Sequence, residues 1–123
     1  IHDAVRPFVS NKIISDCLSA LENAEGSAPI MNTSNSLIQL EKEKATYVDR
    51  SKIREVQTPQ CFRKELIKKA LSSDMEGADD IGMVLRSFPE SKLRFIPGNK
   101  DNFKITTEMD LQVVSRIIDS LQV

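Results

Sequence analysis

The sequence is poor in several residue types that mark common binding sites. Its 123 residues include no tryptophan, one tyrosine and one histidine. With five phenylalanines as the other aromatic residues, no base-stacking surface is suggested. The formal net charge of −1 gives no general attraction to nucleic acid or acidic lipid, so an anion site must be local. His2 cannot form a histidine-rich metal site, and we expect it to be packed or hydrogen-bonded at a strand end rather than to shuttle protons.

Cysteine and long hydrophobic runs are equally scarce. The two cysteines, Cys17 and Cys61, fit neither a zinc-binding spacing nor a disulfide framework. Cys17 falls on an apolar helical stripe and is expected in the core, whereas Cys61 is a poor candidate nucleophile because no histidine lies near it in sequence. No apolar run approaches the roughly 20 residues of a membrane span, and no secretory signal is present. We therefore expect a cytoplasmic protein that binds no membrane.

The rest of the composition is typical of a globular domain. The chain is 40% hydrophobic and 28% charged, and its length predicts one domain. Apolar residues at helical spacing predict helices over 12–23, 63–73 and 79–88, and a last helix capped by Thr107. Short β-prone runs predict extended segments at 27–31, 54–57, 93–98 and 103–105. Helices that alternate with short strands favour an α/β sheet layer.

Residues 36–49 are predicted to form a projecting β-hairpin. Two β-prone runs flank the charged tetrapeptide 41–44, which contains no glycine and is expected to be a solvated tip rather than a tight primed turn. A lone hairpin of this size is marginally stable in water and needs a partner surface. The segment 32–53 is therefore interpreted as a dimerisation arm.

The opening segment, residues 1–8, carries the first chemical motif. Apolar and polar residues lead into Asp3, Arg6 follows three positions later, and Pro7 stops regular structure. A carboxylate can take hydroxyl groups or a metal, and a guanidinium can take phosphate oxygens, so such a pair suits a phosphorylated polyol. The alternative is a surface ion pair beside a turn.

Later segments extend this motif but have ordinary alternatives when taken singly. Arg50 can be a solvated hairpin residue, Lys104 a surface residue and Thr107 only a helix cap. Their order and spacing are more specific than any one of them. The segments concerned are 48–50, 57–62, 78–80 and 101–107.

In that order, the chain resembles the C-terminal half of the 2-C-methyl-D-erythritol 4-phosphate cytidylyltransferase family. The ribitol-5-phosphate cytidylyltransferases are the nearest sibling group. The resemblance runs over essentially all 123 residues. It is carried by His-Asp-Ala-Val-Arg-Pro-Phe at 2–8, Val-Asp-Arg at 48–50, Gln-Thr-Pro-Gln-Cys-Phe at 57–62, and Asn-Phe-Lys-Ile-Thr-Thr at 102–107 with Asp110 and Leu111.

The resemblance implies a fold and a reaction. The fold would be a doubly wound, Rossmann-like nucleotidyltransferase sheet with a protruding β arm, and residues 1–123 would be the C-terminal portion of one cytidylyltransferase domain. Family members are homodimers whose arms interlock. They join a sugar-alcohol phosphate to CTP and release pyrophosphate, with Mg²⁺ bound by the triphosphate. The partners implied are CTP and a polyol phosphate.

The resemblance also implies roles for individual residues. Asp3 would contact the acceptor hydroxyls or lie near the metal and ribose, and Lys104 would sit by the phosphates undergoing transfer. Arg6 and Arg50 would hold the acceptor phosphate, with Arg50 reaching from the arm into the neighbouring subunit's site, and Thr58 would line the acceptor pocket. Asp3 and Lys104 are thus the candidate catalytic residues, while no metal ligand is assigned. The candidate substrate-binding residues are Asp3, Arg6, Ser36, Arg50, Thr58 and Lys104.

Two departures from the family pattern leave the acceptor open. Asn35 and Ser36 stand where the family usually has Asp-Thr, and Ala78 stands where it often has threonine. One expectation is therefore an enzyme of isoprenoid precursor synthesis. The alternatives are a ribitol-5-phosphate-type cytidylyltransferase for cell-wall polymers and a non-catalytic dimerisation module of the same fold.

The 123 residues alone are predicted not to bind CTP or to turn it over. The chain begins Ile-His-Asp without methionine, and its first residues have the pattern of a strand end, so it is expected to be the C-terminal portion of something longer. None of its four glycines forms a phosphate-cradling loop. Calorimetric titration of the isolated 123-residue chain with CTP should therefore give no binding heat, while the full-length protein should bind. Saturable CTP binding by the isolated chain would refute this expectation.

Overall fold

The structure is a computed structural model that describes residues 1–121. Four helices and six strands alternate in part along these residues, with a 3₁₀ turn at Arg50–Lys52. The helices are α1 (Asn11–Ala20), α2 (Lys64–Leu71), α3 (Asp80–Ser87) and α4 (Glu108–Leu121). The strands are β1 (Gly26–Asn32), β2 (Leu37–Glu41), β3 (Lys44–Val48), β4 (Arg54–Val56), β5 (Cys61–Phe62) and β6 (Leu93–Pro97).

Strand β1 is the centre of the main sheet. It pairs with β6 in parallel on one side, and with β4 and β5 in antiparallel fashion on the other. Ile30 lies opposite Val56 of β4 and Pro97 of β6. The first four residues of β1 are buried, as expected for a strand with neighbours on both edges. The predicted α/β class is confirmed.

Two apolar clusters hold the helices against this sheet. In the first, Ile13 and Cys17 of α1 pack against Ile96 of β6. Cys17 is fully buried, which confirms its predicted place in the core. In the second, Leu66 of α2 packs with Val84 of α3. Burial of an aliphatic side chain stabilises a fold by about 1.5–3 kcal/mol, so both clusters stabilise the sheet that carries the cleft described below.

Several helix boundaries follow from local hydrogen bonds. The Ser10 hydroxyl accepts from the backbone N–H of Ile13 at 3.2 Å and begins α1. The predicted cap of the last helix is confirmed: the backbone N–H of Asp110 donates to the Thr107 hydroxyl at 3.2 Å, and the Asp110 carboxylate accepts from the backbone N–H of Thr107 at 2.9 Å. Helix α1 ends at Ala20 and not at residue 23, because the next three residues make tighter i to i−3 bonds.

The residues predicted to be extended at 103–105 form no strand. The backbone N–H of Ile105 donates to the carbonyl of Val5 at 2.9 Å, so the segment is tied to the opening loop and not to the sheet. The short strand β5 was not expected from the sequence. It consists of two residues beside β1, and such a length is too short for a periodic signal.

The hairpin is confirmed and forms a two-stranded sheet of its own. Its turn is tighter than expected, because Glu41 pairs with Lys44 and leaves only two residues at the tip. Lys42 takes a φ of 54°, the left-handed conformation that such a turn demands. The opposite charges of the Glu41–Lys44 pair favour this register.

Within residues 1–121, none of the helices combines the length and the apolar character needed to cross a bilayer.

Candidate active site

The predicted site begins at one carboxylate oxygen that two cations share. Oδ2 of Asp3 lies 3.2 Å from Nε of Arg6 and 3.3 Å from Nζ of Lys104. The guanidinium of Arg6 is also held by its Nη1, which donates to the backbone carbonyl of Asn102 at 2.7 Å. Only 11% of the Arg6 side chain is exposed, so this cation is fixed in place, while 47% of the Lys104 side chain reaches solvent.

These contacts decide the charge state of Asp3. Burial by itself would raise the pKa of the carboxyl group, but hydrogen bonds from Arg6 and Lys104 outweigh it and hold the pKa below its ordinary value. Asp3 is therefore ionised at neutral pH. It partly neutralises two cations that would otherwise repel each other, and it keeps them close together.

Thr58 orients the loop that carries Asp3. Its hydroxyl accepts from the backbone N–H of Asp3 at 3.0 Å and lies 2.8 Å from Nδ1 of His2. Nε2 of His2 lies 3.0 Å from the carbonyl of Arg6, which can only accept, so Nε2 carries the proton and Nδ1 accepts from Thr58. The expected hydrogen bonding of His2 is confirmed. Its expected place at a strand end is wrong, because residues 1–10 form no strand.

Two cavities meet at Arg6 and Lys104, which line both of them. The first, which we call the basic lobe, measures about 350 Å³ and is rich in cations. The second, the acidic lobe, measures about 320 Å³. The charged residues of the basic lobe are Arg6, Lys100, Lys104 and Glu55, and those of the acidic lobe, apart from the terminal amine of Ile1, are Asp3, Asp79, Asp80, Arg6 and Lys104.

The acidic lobe depends on a buried glutamine. Gln60 is 2% exposed, and its amide group donates to the Asp79 carboxylate at 2.8 Å and accepts from the backbone N–H of Ile81 at 2.9 Å. The other oxygen of Asp79 accepts from the backbone N–H of Gly82 at 2.7 Å and caps α3. Gln60 thereby fixes the start of α3 beside the cleft, where Ala78 also lines the wall.

The structure brings some predicted residues together and leaves others apart. Asp3, Arg6, Thr58 and Lys104 all line the acidic lobe. Ser36 lines neither lobe. Arg50 is exposed and donates through Nη1 to the carbonyl of Ser34 at 2.6 Å, outside both lobes. The roles assigned to Ser36 and Arg50 stay predictions.

Sequence reasoning assigned no site role to several other residues of the basic lobe, among them Asn32, Ser34, Glu55 and Lys100. Asn32 and Ser34 belong to the polar run 32–36, and its hydroxyl and amide groups are a signal that could have found them. Lys100 gave no signal, because a lysine in a polar loop is ordinary. It also lines a neighbouring cavity of about 600 Å³ together with Arg54 and Thr33. Cys61 lines neither lobe.

The family model for 2-C-methyl-D-erythritol 4-phosphate cytidylyltransferase (IspD) matches residues 1–120. The chain belongs to this family. The 2-C-methyl-D-erythritol 4-phosphate cytidylyltransferase of Phocaeicola vulgatus is 33% identical over 120 residues, which cover 96% of the chain and 54% of that protein. The chain thus spans about half the length of the curated relatives it matches.

Two further comparisons agree with the family. The crystal structure of 2-C-methyl-D-erythritol 4-phosphate cytidylyltransferase from Thermus thermophilus superposes on this chain with a TM-score of 0.81 at 28% identity. The match covers 96% of this chain and 60% of the Thermus thermophilus chain. The fold is therefore that of the IspD nucleotidyltransferases. A sibling also matches: the bifunctional ribulose 5-phosphate reductase/CDP-ribitol pyrophosphorylase Bcs1 of Haemophilus influenzae is 28% identical, over 98% of the chain and 27% of that protein.

The contact of Lys104 with the Asp3 carboxylate can be tested by measuring the pKa of Asp3. Replacement Lys104→Met removes one of the groups that lower the pKa of Asp3, so this pKa should rise toward its ordinary value. Carbon NMR titration of the Asp3 carboxyl group measures the change. Because the folded pKa is lowered, the ionised Asp3 stabilises the fold above its ordinary pKa of about 3.9, and this contribution is lost as the pH falls through the lowered value.

Lys92 provides the matched control for that titration. It lies just before β6, outside both lobes, so Lys92→Met makes the same change of charge without touching the carboxylate. If the pKa of Asp3 were equal in Lys104→Met and Lys92→Met, the contact between Lys104 and the Asp3 carboxylate would be contradicted.

Proposed function

We propose that the protein is a 2-C-methyl-D-erythritol 4-phosphate cytidylyltransferase, which joins this sugar-alcohol phosphate to CTP and releases pyrophosphate in isoprenoid precursor biosynthesis. The observation that carries the proposal is the convergence of Arg6 and Lys104 on Asp3, at the junction of two cavities, in a chain of this family. The relatives from Phocaeicola vulgatus and Thermus thermophilus bear this activity in their names.

The charges of the two lobes suggest how the acceptor lies. A phosphate group is favoured in the basic lobe, which three cations and one carboxylate line. Hydroxyl groups of the polyol are favoured in the acidic lobe, where Asp3 and Asp80 offer acceptors. In this pose the acceptor phosphate lies beside Arg6 and Lys104, the two cations that belong to both lobes.

The chemical step follows from this placement. An oxygen of the acceptor phosphate attacks the α-phosphorus of CTP in line, a new P–O–P linkage forms, and the bond to the β-phosphate breaks to release pyrophosphate. Such a transfer depends on positioning and on neutralisation of charge rather than on a covalent protein group. Lys104 is the more exposed of the two cations, and it is proposed to neutralise the phosphates undergoing transfer.

Magnesium is proposed to come with the substrate. Residues 1–121 contain no group of three or more histidine, cysteine, aspartate or glutamate side chains placed to hold a metal. Oδ2 of Asp3 contacts the cations of Arg6 and Lys104. The two oxygens of Asp79 accept hydrogen bonds, one from the side-chain amide of Gln60 and the other from the backbone N–H of Gly82. These residues do not form a protein-only magnesium site, so the triphosphate is the proposed ligand, as is common for Mg²⁺.

The hairpin β2–β3 is proposed to act as the dimerisation arm of a cytoplasmic homodimer. Ile38 lies opposite Tyr47, and their side chains are 63% and 71% exposed. Leu40 is two positions from Ile38 on the same face and is 65% exposed. An exposed apolar face on a two-stranded hairpin needs a cover, and a second copy of the arm would supply it and bring Arg50 to the neighbouring site.

A pyrophosphate-release assay tests the proposed reaction. The full-length protein is incubated with CTP and, in separate reactions, with 2-C-methyl-D-erythritol 4-phosphate or ribitol 5-phosphate. We expect turnover with the first acceptor and a much lower kcat/KM with the second. The reverse preference would favour the Bcs1-like alternative, and no turnover with either would favour a non-catalytic module.

Lys100 offers a sharper test of the acceptor pose. If the phosphate occupies the basic lobe, Lys100→Ala should raise the acceptor KM by roughly threefold to tenfold, since one exposed charged contact is lost. The KM for CTP should change little. Lys92→Ala removes an equal charge at the opposite end of β6 and should leave both constants unchanged. Equal acceptor KM values in Lys100→Ala and Lys92→Ala would show that the phosphate does not bind in the basic lobe.

A further inference from the structure

Asn102 is a fully buried polar residue in the loop that carries Lys104. Its side-chain amide nitrogen donates to the backbone carbonyl of Thr58 at 2.8 Å and to Oε1 of Gln57 at 3.3 Å. Its backbone carbonyl accepts from Nη1 of Arg6 at 2.7 Å. One residue thus touches the two segments that carry Arg6 and Thr58, and it lies two positions before Lys104.

Gln57 completes the connection between the loop and the turn. It is 7% exposed, and its amide nitrogen donates to the carbonyl of Asn99 at 2.9 Å while its Oε1 accepts from the backbone N–H of Asn99 at 3.3 Å. Gly98 lies so close that an added Cβ would come within 2.5 Å of this Oε1. The segment 98–102 is therefore held tightly against residues 57 and 58.

The contacts of Arg6 show what this connection does for the cleft. Nε binds Asp3 and Nη1 binds the Asn102 carbonyl, so the plane of the guanidinium is fixed at two points. Within residues 1–121, Nη2 makes no hydrogen bond. Since Arg6 lines both lobes, this arrangement leaves a pre-oriented donor for a ligand there.

The remaining atom of the Asn102 side chain argues against a purely stabilising role. Oδ1 is buried and has no hydrogen-bond partner among the residues that the structure describes. A buried acceptor that has given up its hydrogen bonds to water costs free energy. An asparagine at this place is therefore better explained by the hydrogen bonds that its amide nitrogen donates to Gln57 and Thr58 than by a gain in stability. These bonds hold the loop, and with it the backbone carbonyl that binds Arg6.

We propose that Asn102 is a positioning residue, which holds its loop against the backbone of Thr58 and thereby aligns Arg6 and Lys104 for the phosphate of the acceptor. This inference rests on the proposed function for the identity of the ligand. Asn102 itself is buried beneath the cleft and lines neither lobe, so it acts through the residues that it holds.

The experiment compares Asn102→Ala with Ile13→Val in the full-length protein. Ile13 lies in the α1 cluster, away from both lobes, and its shortening provides a loss of stability without a change at the cleft. For Asn102→Ala we expect the acceptor KM to rise about tenfold or more, with the KM for CTP within about twofold of wild type. If Asn102 had only a structural role, its replacement would reduce the fraction of folded, active enzyme, so the apparent kcat would fall while both KM values stayed unchanged, as is expected for Ile13→Val. Unchanged KM values in Asn102→Ala would overturn the proposal.

Asn102→Asp separates the donor from the shape of the side chain. The two residues are nearly equal in size, but a carboxylate presents acceptors where the amide nitrogen donates to Thr58 and Gln57. We expect Asn102→Asp to raise the acceptor KM at least as much as Asn102→Ala. A wild-type KM in Asn102→Asp would show that the donated hydrogen bonds do not position the cleft.

A titration distinguishes failure of this proposal from failure of the proposed function. Asn102→Ala keeps the backbone carbonyl at position 102 but removes the bonds that hold its loop against residues 57 and 58. Because the carbonyl can then move away from Arg6, the hydrogen bond from Arg6 to Asp3 should weaken, and the pKa of Asp3 should rise in Asn102→Ala and stay unchanged in Ile13→Val. NMR of the carboxyl carbon measures this without turnover. If wild type turns over neither acceptor, the proposed function fails, and the pKa alone decides whether Asn102 positions Arg6.

Discussion

The ion cluster around Asp3 is the interaction on which the rest of the site depends. One carboxylate oxygen holds a guanidinium from the opening loop and an ammonium from the loop before α4. Without it, two cations at the same place would repel each other and each would turn to solvent. Because the carboxyl group remains ionised, the two cations stay together without a ligand, and less reorganisation would be needed for the proposed binding of a phosphate.

This cluster is supported by buried amides and not by the apolar core. Gln57, Gln60 and Asn102 are all nearly inaccessible, and their side chains connect the turn at residues 57–60 to the loop at 98–102 and to the start of α3. Polar networks in a low-dielectric interior hold groups in defined orientations when their members are paired. The two apolar clusters stabilise the sheet and its helices, whereas the amides set the geometry of the cleft.

The cleft and the hairpin are separate parts of the structure, and each has its own proposed partner. Cations gather on one side of the Arg6–Lys104 boundary and carboxylates on the other, which suits a ligand with a phosphate at one end and hydroxyl groups at the other. The hairpin lies in a separate sheet with an apolar face toward solvent. Assembly through that face, as proposed, would add residues of a second subunit to the cleft that one chain leaves open.

Local patterns in the sequence determined most of the elements and part of the site. Helical spacing, the caps at Ser10 and Thr107, and the hairpin of 36–49 depend on residues a few positions apart, so they could be predicted. The Asp3–Arg6 pair has the same local origin. The order of the motifs also indicated the family, and with it the place of Lys104 and Thr58 beside that pair.

Tertiary structure alone decided the rest. Arg6 meets the carbonyl of Asn102 across 96 positions, and Asp3 meets Thr58 across 55, so no local spacing could reveal these contacts. Ser34 comes to the basic lobe and Ser36 does not, because the backbone course after β1 sets which side chains face the cavity, and the loop after β6 brings Lys100 there. Long-range packing, which no short pattern encodes, determines these positions.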